Sequence, residues 1–228
     1  MIKKKTILVV AAHPDDDAFG CAGTLLKLAS QKCKIFALYF TDGVSARKEQ
    51  VNINQNIFDR KKNCEKAAKI IGIKKCLYYS YPDNQLDTVP LLEITQNIEQ
   101  EILKIKPDII FTHFENDLNI DHQIINNAVK TATRPKPNLS VKEIFLFETL
   151  SSTEWQFNSK KKIFVPNYFV DISKTLKKKI EAVKAYKQEI FKWPHPRSAK
   201  GVKTLASYRG QMVGLKFAEA FEILRVIG

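Results

Sequence analysis

Thr6-Ile7-Leu8-Val9-Val10-Ala11-Ala12-His13-Pro14-Asp15-Asp16-Asp17 is the stretch that decides the fold. Seven residues without a charge run straight into a histidine, a proline and three carboxylates. A short, continuously apolar run bounded by a turn reads as a strand buried on both faces. The run is also far short of the ~20 residues that a transmembrane helix needs. The lysines at 3–5 before it resemble the start of an export signal, but no small-residue cleavage site follows. The expected location is therefore the cytoplasm.

Working outward, further strands are expected over 34–40, 76–79, 108–112 and 143–148. Helical spacing covers 21–31, 57–71 (stopped by Gly72), 91–105 (stopped at Lys106-Pro107) and 121–132. Strands alternating with helical patterns of 10–15 residues mean βαβ units. The expected fold is α/β, a Rossmann-like, mainly parallel sheet flanked by helices, with 1–228 forming one domain. After Pro135 the pattern loosens. A strand over 168–172, a helix over 173–189 capped by Ser173 and a last helix over 214–224 are expected there.

Composition limits the function classes. Hydrophobic residues make up 44% and charged residues 27% of the 228, which is ordinary for a globular chain and excludes a disordered or coiled-coil protein. The four cysteines have no CxxC spacing, so buried or free thiols are expected. Net charge is +13, yet 31 of the 37 basic residues are lysine. Readers of nucleic acid lean on the arginine fork, and no nucleic-acid partner is expected. Nor is stable insertion in a membrane; a homo-oligomer is compatible with the composition.

In open α/β sheets, ligands bind beyond the carboxyl ends of the strands. The loops after Ala12, Phe40, Tyr79, Thr112 and Glu148 are therefore where chemistry belongs. Three adjacent carboxylates after a buried strand repel one another and persist if solvated or neutralised by a cation. One of them suffices to cap the following helix. His13 with Asp16 offers a nitrogen and an oxygen donor, a pair that suits Zn²⁺. His122, at the start of the helix after the fourth of these loops, is the candidate third ligand. Three protein donors with one open position is the catalytic zinc arrangement.

These residues resemble the PIG-L/LmbE-like family of zinc-dependent N-deacetylases. The likeness rests on the AHPDD of 12–16 with Gly20-Cys21-Ala22-Gly23-Thr24-Leu25, on Asp121-His122, and on Arg60 with 67–72. It continues through His195-Pro196-Arg197-Ser198, Arg209-Gly210, Gly214 and 218–221, in order along nearly the whole chain. The resemblance implies that His13, Asp16 and His122 bind one zinc, that Asp15 is the general base, and that the substrate is a small molecule, an N-acetylated amino sugar. Many members carry a histidine three positions before the zinc histidine, where this chain has Asn119. An Asn amide can donate to an oxyanion but cannot act as an acid. His195 is the expected oxyanion support, with Asp121 orienting a ligand or Asn119. Arg47 and Arg60 are candidates for sugar hydroxyls or a phosphate, and Asp83 and Asn84 for sugar hydrogen bonds.

Two other readings compete. Asp15-Asp16-Asp17 contains the DxD triplet of a metal-dependent glycosyltransferase, which would hold Mg²⁺ or Mn²⁺ through oxygens. A non-enzymatic basic binding module would need only helix capping from the acidic loop.

Overall fold

The computed structural model describes residues 4–46, 52–157 and 162–228. Seven strands form one sheet in the order β3-β2-β1-β4-β5-β7-β6. They are β1 (Thr6–Ala11), β2 (Lys34–Thr41), β3 (Lys75–Tyr81), β4 (Ile109–His113), β5 (Glu143–Phe147), β6 (Tyr168–Asp171) and β7 (Ala218–Val226). The first five pair in parallel. β7 runs antiparallel to both β5 and β6.

β1 shows why the run at 6–12 carries no polarity. Successive side chains of a strand point to opposite faces. Ile7, Val9 and Ala11 enter one core, while Leu8, Val10 and Ala12 enter the other. The first core is closed by α2 (Ala22–Ser30), α3 (Ile53–Ile71), α6 (Leu176–Val183) and α7 (Ala199–Gln211). The second is closed by α4 (Leu91–Ile105) and α5 (Ile120–Ala132). Each fully buried Ile or Leu contributes about 1.5–3 kcal/mol over exposure. Among the described residues, no helix is long and apolar enough to cross a membrane.

The carboxyl-terminal third departs from expectation in three places. Residues 214–224 are not a helix: β7 occupies most of them and fills the gap between β5 and β6. The helix expected over 173–189 is shorter. α6 covers Leu176–Val183, a separate 3-10 turn covers Lys187–Glu189, and the residue at the helix start is Thr175. The Ser173 amide instead donates to Asp171 Oδ1 at 2.8 Å. α7 was not expected at all. Its marker is Ser198, whose hydroxyl accepts from the Gly201 amide at 2.9 Å, an N-cap. α3 likewise begins four residues earlier than its apolar spacing suggests, at an Asn52 cap.

A buried ion pair ties this last third to the first helices. Glu219 of β7 accepts from the Gly23 and Thr24 amides at 2.8 and 2.6 Å and from Lys179 Nζ at 2.6 Å. Lys179 also donates to the Phe19 carbonyl at 2.7 Å. Removing one partner of such a pair leaves an uncompensated buried charge. Lys179→Met should therefore lower the unfolding free energy by about 3–5 kcal/mol, read as an earlier midpoint in denaturant titration with an unchanged slope.

Candidate active site

Strand order reverses between β1 and β4, which makes that point the crevice of the sheet. A cavity of about 370 Å³ opens there. All five loops singled out from the sequence reach it. They contribute His13 and Asp15, then Gly43 and Ala46, then Asp83 and Asn84, then Asn119 and His122, then Ser151 and Ser152. Arg60, Glu189 and Arg197 complete the wall.

The turn after β1 is closed by the Asp15 and Asp16 amides, which donate to the His13 carbonyl at 2.9 and 3.3 Å. A short helix, α1 (Asp16–Gly20), follows at once. Asp15 sits at its N-cap position, yet its side chain makes no capping bond. Capping therefore does not explain that carboxylate. Asp17 turns away from its neighbours and does not line the cavity. Burial, against a Tyr39 hydrogen bond and with the charge of Asp16, raises it to about 7. The three carboxylates thus do not converge as a glycosyltransferase triplet would.

His13, Asp16 and His122 come together. His13 Nδ1 lies 3.2 Å from Asp16 Oδ2 and 3.2 Å from His122 Nε2, and His122 Nε2 lies 3.4 Å from Asp16 Oδ1. All three residues are buried, and Asp16 Oδ1 has no hydrogen-bond partner. Ligands about 2.0–2.1 Å from a tetrahedral ion stand roughly 3.3–3.4 Å apart. The triangle thus has the dimensions of one face of a zinc-sized site, and its orphaned oxygen is a donor waiting for a cation. The cluster is able to hold a metal.

Electrostatics agree. Burial alone would push Asp16 up, but His122, His13 and His113 hold it well below the usual carboxylate range. Burial would lower His122; Asp16 and Asp117 outweigh it and raise it to about 9. His13 is raised in the same way against burial, chiefly by Asp16. A divalent cation in the triangle would take the place of these protons.

Asp117 is a residue that sequence reasoning missed. His122 Nδ1 donates to its Oδ1 at 3.0 Å. The hydroxyls of Ser152 and Thr153 and the Asn119 amide also donate to it. Burial would raise this carboxyl, yet His122 and these donors hold it at about 2. A carboxylate behind a ligand histidine fixes its tautomer and orientation, and its loss typically costs about 10–100-fold in metal affinity. Asp117→Asn should show that weakening in a chelator-competition titration.

Asp121, expected to orient a ligand or Asn119, is largely taken by the chain itself. Its two oxygens accept from the Asn84 and Leu86 amides at 2.7 and 3.0 Å. His13 Nε2 stands 3.0 Å from Asp83 Oδ1 and 3.4 Å from Asp121 Oδ2, close to both but aligned with neither. Asn119 caps α5 by accepting from the Asp121 amide at 2.8 Å, and its Nδ2 donates to Asn84 Oδ1 at 2.9 Å. An amide nitrogen carries two hydrogens, so one donor of Asn119 is left over at the cavity wall. His113 is a support: its ring stacks on His122 at 3.8 Å, and its Nε2 accepts from the Ala12 amide at 3.0 Å.

Asp15 is held by two arginines. Arg60 Nη1 and Arg197 Nη1 donate to the same oxygen, Oδ2, at 2.8 and 3.0 Å. Glu189 accepts from Arg60 Nη2 at 2.6 Å and from Arg197 Nη1 at 3.3 Å, so that two positive and two negative groups share a largely buried cluster. Burial would raise Asp15, but Arg60 first and Arg197 second hold it below its ordinary range. Among the described residues, no donor reaches its Oδ1. Gly43 serves this lock from a backbone position at φ +68°: its carbonyl accepts from Arg60 Nη2 at 2.8 Å. A side chain there would also crowd Pro14 Cδ, 3.2 Å from an added Cβ.

Two expectations need correction, and a third cannot be placed. Arg60 is not free for sugar, because its terminal nitrogens are engaged by Asp15, Gly43 and Glu189. His195 does not line the cavity. Its ring packs against Phe191 at 4.3 Å and Trp155 at 5.7 Å, and its Nδ1 accepts from the Arg197 amide at 3.1 Å. The residue of that motif in the wall is Arg197. Arg47 lies outside the described residues.

Parallel strands that deliver two loops of candidate metal donors, and beside them a separate locked carboxylate, to one cleft define a class: α/β proteins equipped for hydrolysis. Comparison with known proteins narrows it. The family model described as GlcNAc-PI de-N-acetylase (PIG-L) matches residues 8–133, more than half of the chain, and the chain belongs to that family. It is an enzyme, a hydrolase that cleaves an N-acetyl amide bond. A diacetylchitobiose deacetylase of Thermococcus kodakarensis is 24% identical over 96% of this chain and 83% of its own length. A probable N-acetyl-alpha-D-glucosaminyl L-malate deacetylase 2 of Bacillus cereus is 28% identical over 59% of this chain and 63% of its own. Among solved structures, N,N'-diacetylchitobiose deacetylase from Pyrococcus horikoshii, complexed with an inhibitor, superimposes with a TM-score of 0.78. It is 22% identical and aligns over 97% of this chain and 84% of that one. This last likeness is one of fold.

Proposed function

We propose that the protein removes the N-acetyl group from a small sugar of the N-acetylglucosamine type, with one zinc ion held by His13, Asp16 and His122. The observation that carries this reading is the pairing of the donor triangle with Asp15, an ionised carboxylate adjacent in sequence and excluded from the triangle. The names of the relatives, a chitobiose deacetylase and a glucosaminyl-malate deacetylase, support the sugar class.

When bound, the ion polarises the amide carbonyl and lowers the pKa of a water. The rest of the chemistry belongs to the chain. Asp15 takes a proton on Oδ1 from the attacking water and passes it to the leaving amine. Arg60 and Arg197 fix its other oxygen, so the carboxylate stays ionised and cannot swing towards the donor triangle. The spare Asn119 donor and Arg197 supply polar contacts at the wall. Asp117 holds the His122 ring.

Acetate release from N-acetylglucosamine and N,N'-diacetylchitobiose tests this. Protein stripped with a chelator should release none, and reloading with stoichiometric zinc should restore turnover. Full activity of the stripped protein would remove the metal from the reading. No release by zinc-loaded protein from either sugar would remove the substrate class.

A further inference from the structure

His13 has two ring nitrogens, and the donor triangle uses one of them. Nδ1 faces Asp16 and His122. Nε2 faces the other way, towards a second pair of carboxylates. It lies 3.0 Å from Asp83 Oδ1 and 3.4 Å from Asp121 Oδ2. His13 is 8% exposed, Asp83 and Asp121 are buried as well, and Nε2 has no aligned hydrogen-bond partner. A buried, unmatched nitrogen therefore points between two carboxylates, and the three side chains together are able to hold an ion. Two buried carboxylates repel each other and are costly without a positive charge between them. Among the described residues, no lysine or arginine forms an ion pair with either. Their other contacts are neutral donors: the Asn84 and Leu86 amides for Asp121, and Asn84 Nδ2, at 3.4 Å, for Asp83. A histidine bound to a metal through Nδ1 is itself neutral. Filling the triangle thus leaves the pair with neutral groups in contact.

We propose that His13 Nε2, Asp83 and Asp121 form a second, weaker zinc site, back to back with the first across the imidazole ring. The inference rests on the proposed zinc triangle, which takes Nδ1 of the same ring. Ligands about 2.0–2.1 Å from a tetrahedral zinc stand roughly 3.3–3.4 Å apart. The separations of 3.0 and 3.4 Å at Nε2 are close to that spacing. One imidazole nitrogen and two carboxylate oxygens make a donor set that zinc accepts. A carboxylate oxygen has more than one lone pair, so Asp121 Oδ2 can bind an ion while it accepts from the Asn84 amide. Binding sends the Nε2 proton to solvent, as metals do with ligand protons, and the ring then bridges two ions as an imidazolate. That second deprotonation is costly, so this site fills after the triangle. His13 and Asp83 line the cavity, while Asp121 stands behind them. An ion at Nε2 withdraws Asp83 from the wall and takes space beside the first ion. The first equivalent of zinc therefore activates the protein and the second inhibits it.

Equilibrium dialysis of the wild type against zinc buffers should find two ions per chain, the second held more weakly. Acetate release from N-acetylglucosamine should rise as the first binds and fall as the second does. Anomalous diffraction from crystals at low and at saturating zinc locates the ions without reference to turnover. One peak should stand at the triangle, and a second should join it at saturation on the Nε2 side of the His13 ring, against Asp83 and Asp121. Asp83→Asn keeps the shape of the side chain and should weaken the second binding about 10²-fold, while the first ion stays at one per chain. A single peak at saturating zinc overturns the proposal, and so does a second ion bound anywhere else. Asp83→Asn that binds both ions as tightly as the wild type also overturns it. Two peaks in the expected places with no acetate release at any zinc concentration would uphold the second site and remove the deacetylase reading.

Discussion

Asp15→Asn should retain stoichiometric metal and lose about 10²–10⁴-fold in turnover, the usual contribution of a general acid–base group. The amide has nearly the shape of the carboxylate, and its one oxygen, turned to the place of Oδ2, can still accept from Arg60 and Arg197. What it lacks is an oxygen able to take a proton. The quartet of Arg60, Arg197, Asp15 and Glu189 also acquires a net positive charge. The variant should therefore melt earlier than wild type while keeping its circular dichroism at room temperature. Metal content and turnover measured on the same sample decide between roles. Loss of both together would make Asp15 a ligand.

His122→Ala should lose the metal itself. The triangle has three donors at mutual distances of 3.2–3.4 Å, and the carboxylates of Asp83 and Asp121 stand at Nε2 of His13, on the side of the ring away from the triangle. His113 is close, but its Nε2 is already the acceptor for the Ala12 amide. Structural zinc sites bind with about 10–16 kcal/mol in all, so removing one of three ligands is expected to weaken affinity on the order of 10³-fold. Equilibrium dialysis against a zinc buffer measures this directly. Asp117 would be left facing an apolar methyl, so some destabilisation accompanies the loss. Unchanged affinity would show that His122 stands beside the metal and does not hold it.

The two thirds of the fold legible in the sequence are those in which neighbours in the chain are also neighbours in the sheet. Runs such as 6–12 and 109–112 are buried on both faces and can afford no polar residue. Their ends therefore show as abrupt changes of chemistry, and the site residues stand at those changes. β7 breaks the rule. Ala218, Phe221 and Leu224 repeat every three residues and imitate a helix. Glu219 and Glu222 are nearly fully buried in the strand, because Lys179 and the Gly23 and Thr24 amides meet the first and Lys162 and the Val165 amide meet the second. None of those partners is local, so no local pattern announces them.

The same distinction runs through the site. His13, Asp16 and His122 are recognisable because a donor at a strand end is unusual in itself. Asp117 and Glu189 look like ordinary surface residues until folding brings them in, and Arg197 stands out only by its motif, not by its charge. Arg197 is 182 positions from the carboxylate it holds. His195 illustrates the converse. A histidine in a distinctive motif attracts a catalytic role, while the structure uses its ring as packing and places its neighbour at the wall.

The position of β7 between β5 and β6 has a consequence for how the protein is made. On the ribosome, β1 to β5 emerge first and can pair as they appear. β6 then emerges with no strand to pair with, since among the described residues its only partner is β7. Until β7 is released, one flank of β5 is an open edge and α6 lacks the buried glutamate that meets Lys179. Such an edge invites pairing with another chain. Synthesis therefore passes through an interval of vulnerability that ends only when β7 slots into the gap. Slow translation or a stall just before 218 should prolong that interval and divert nascent protein towards aggregation or chaperones.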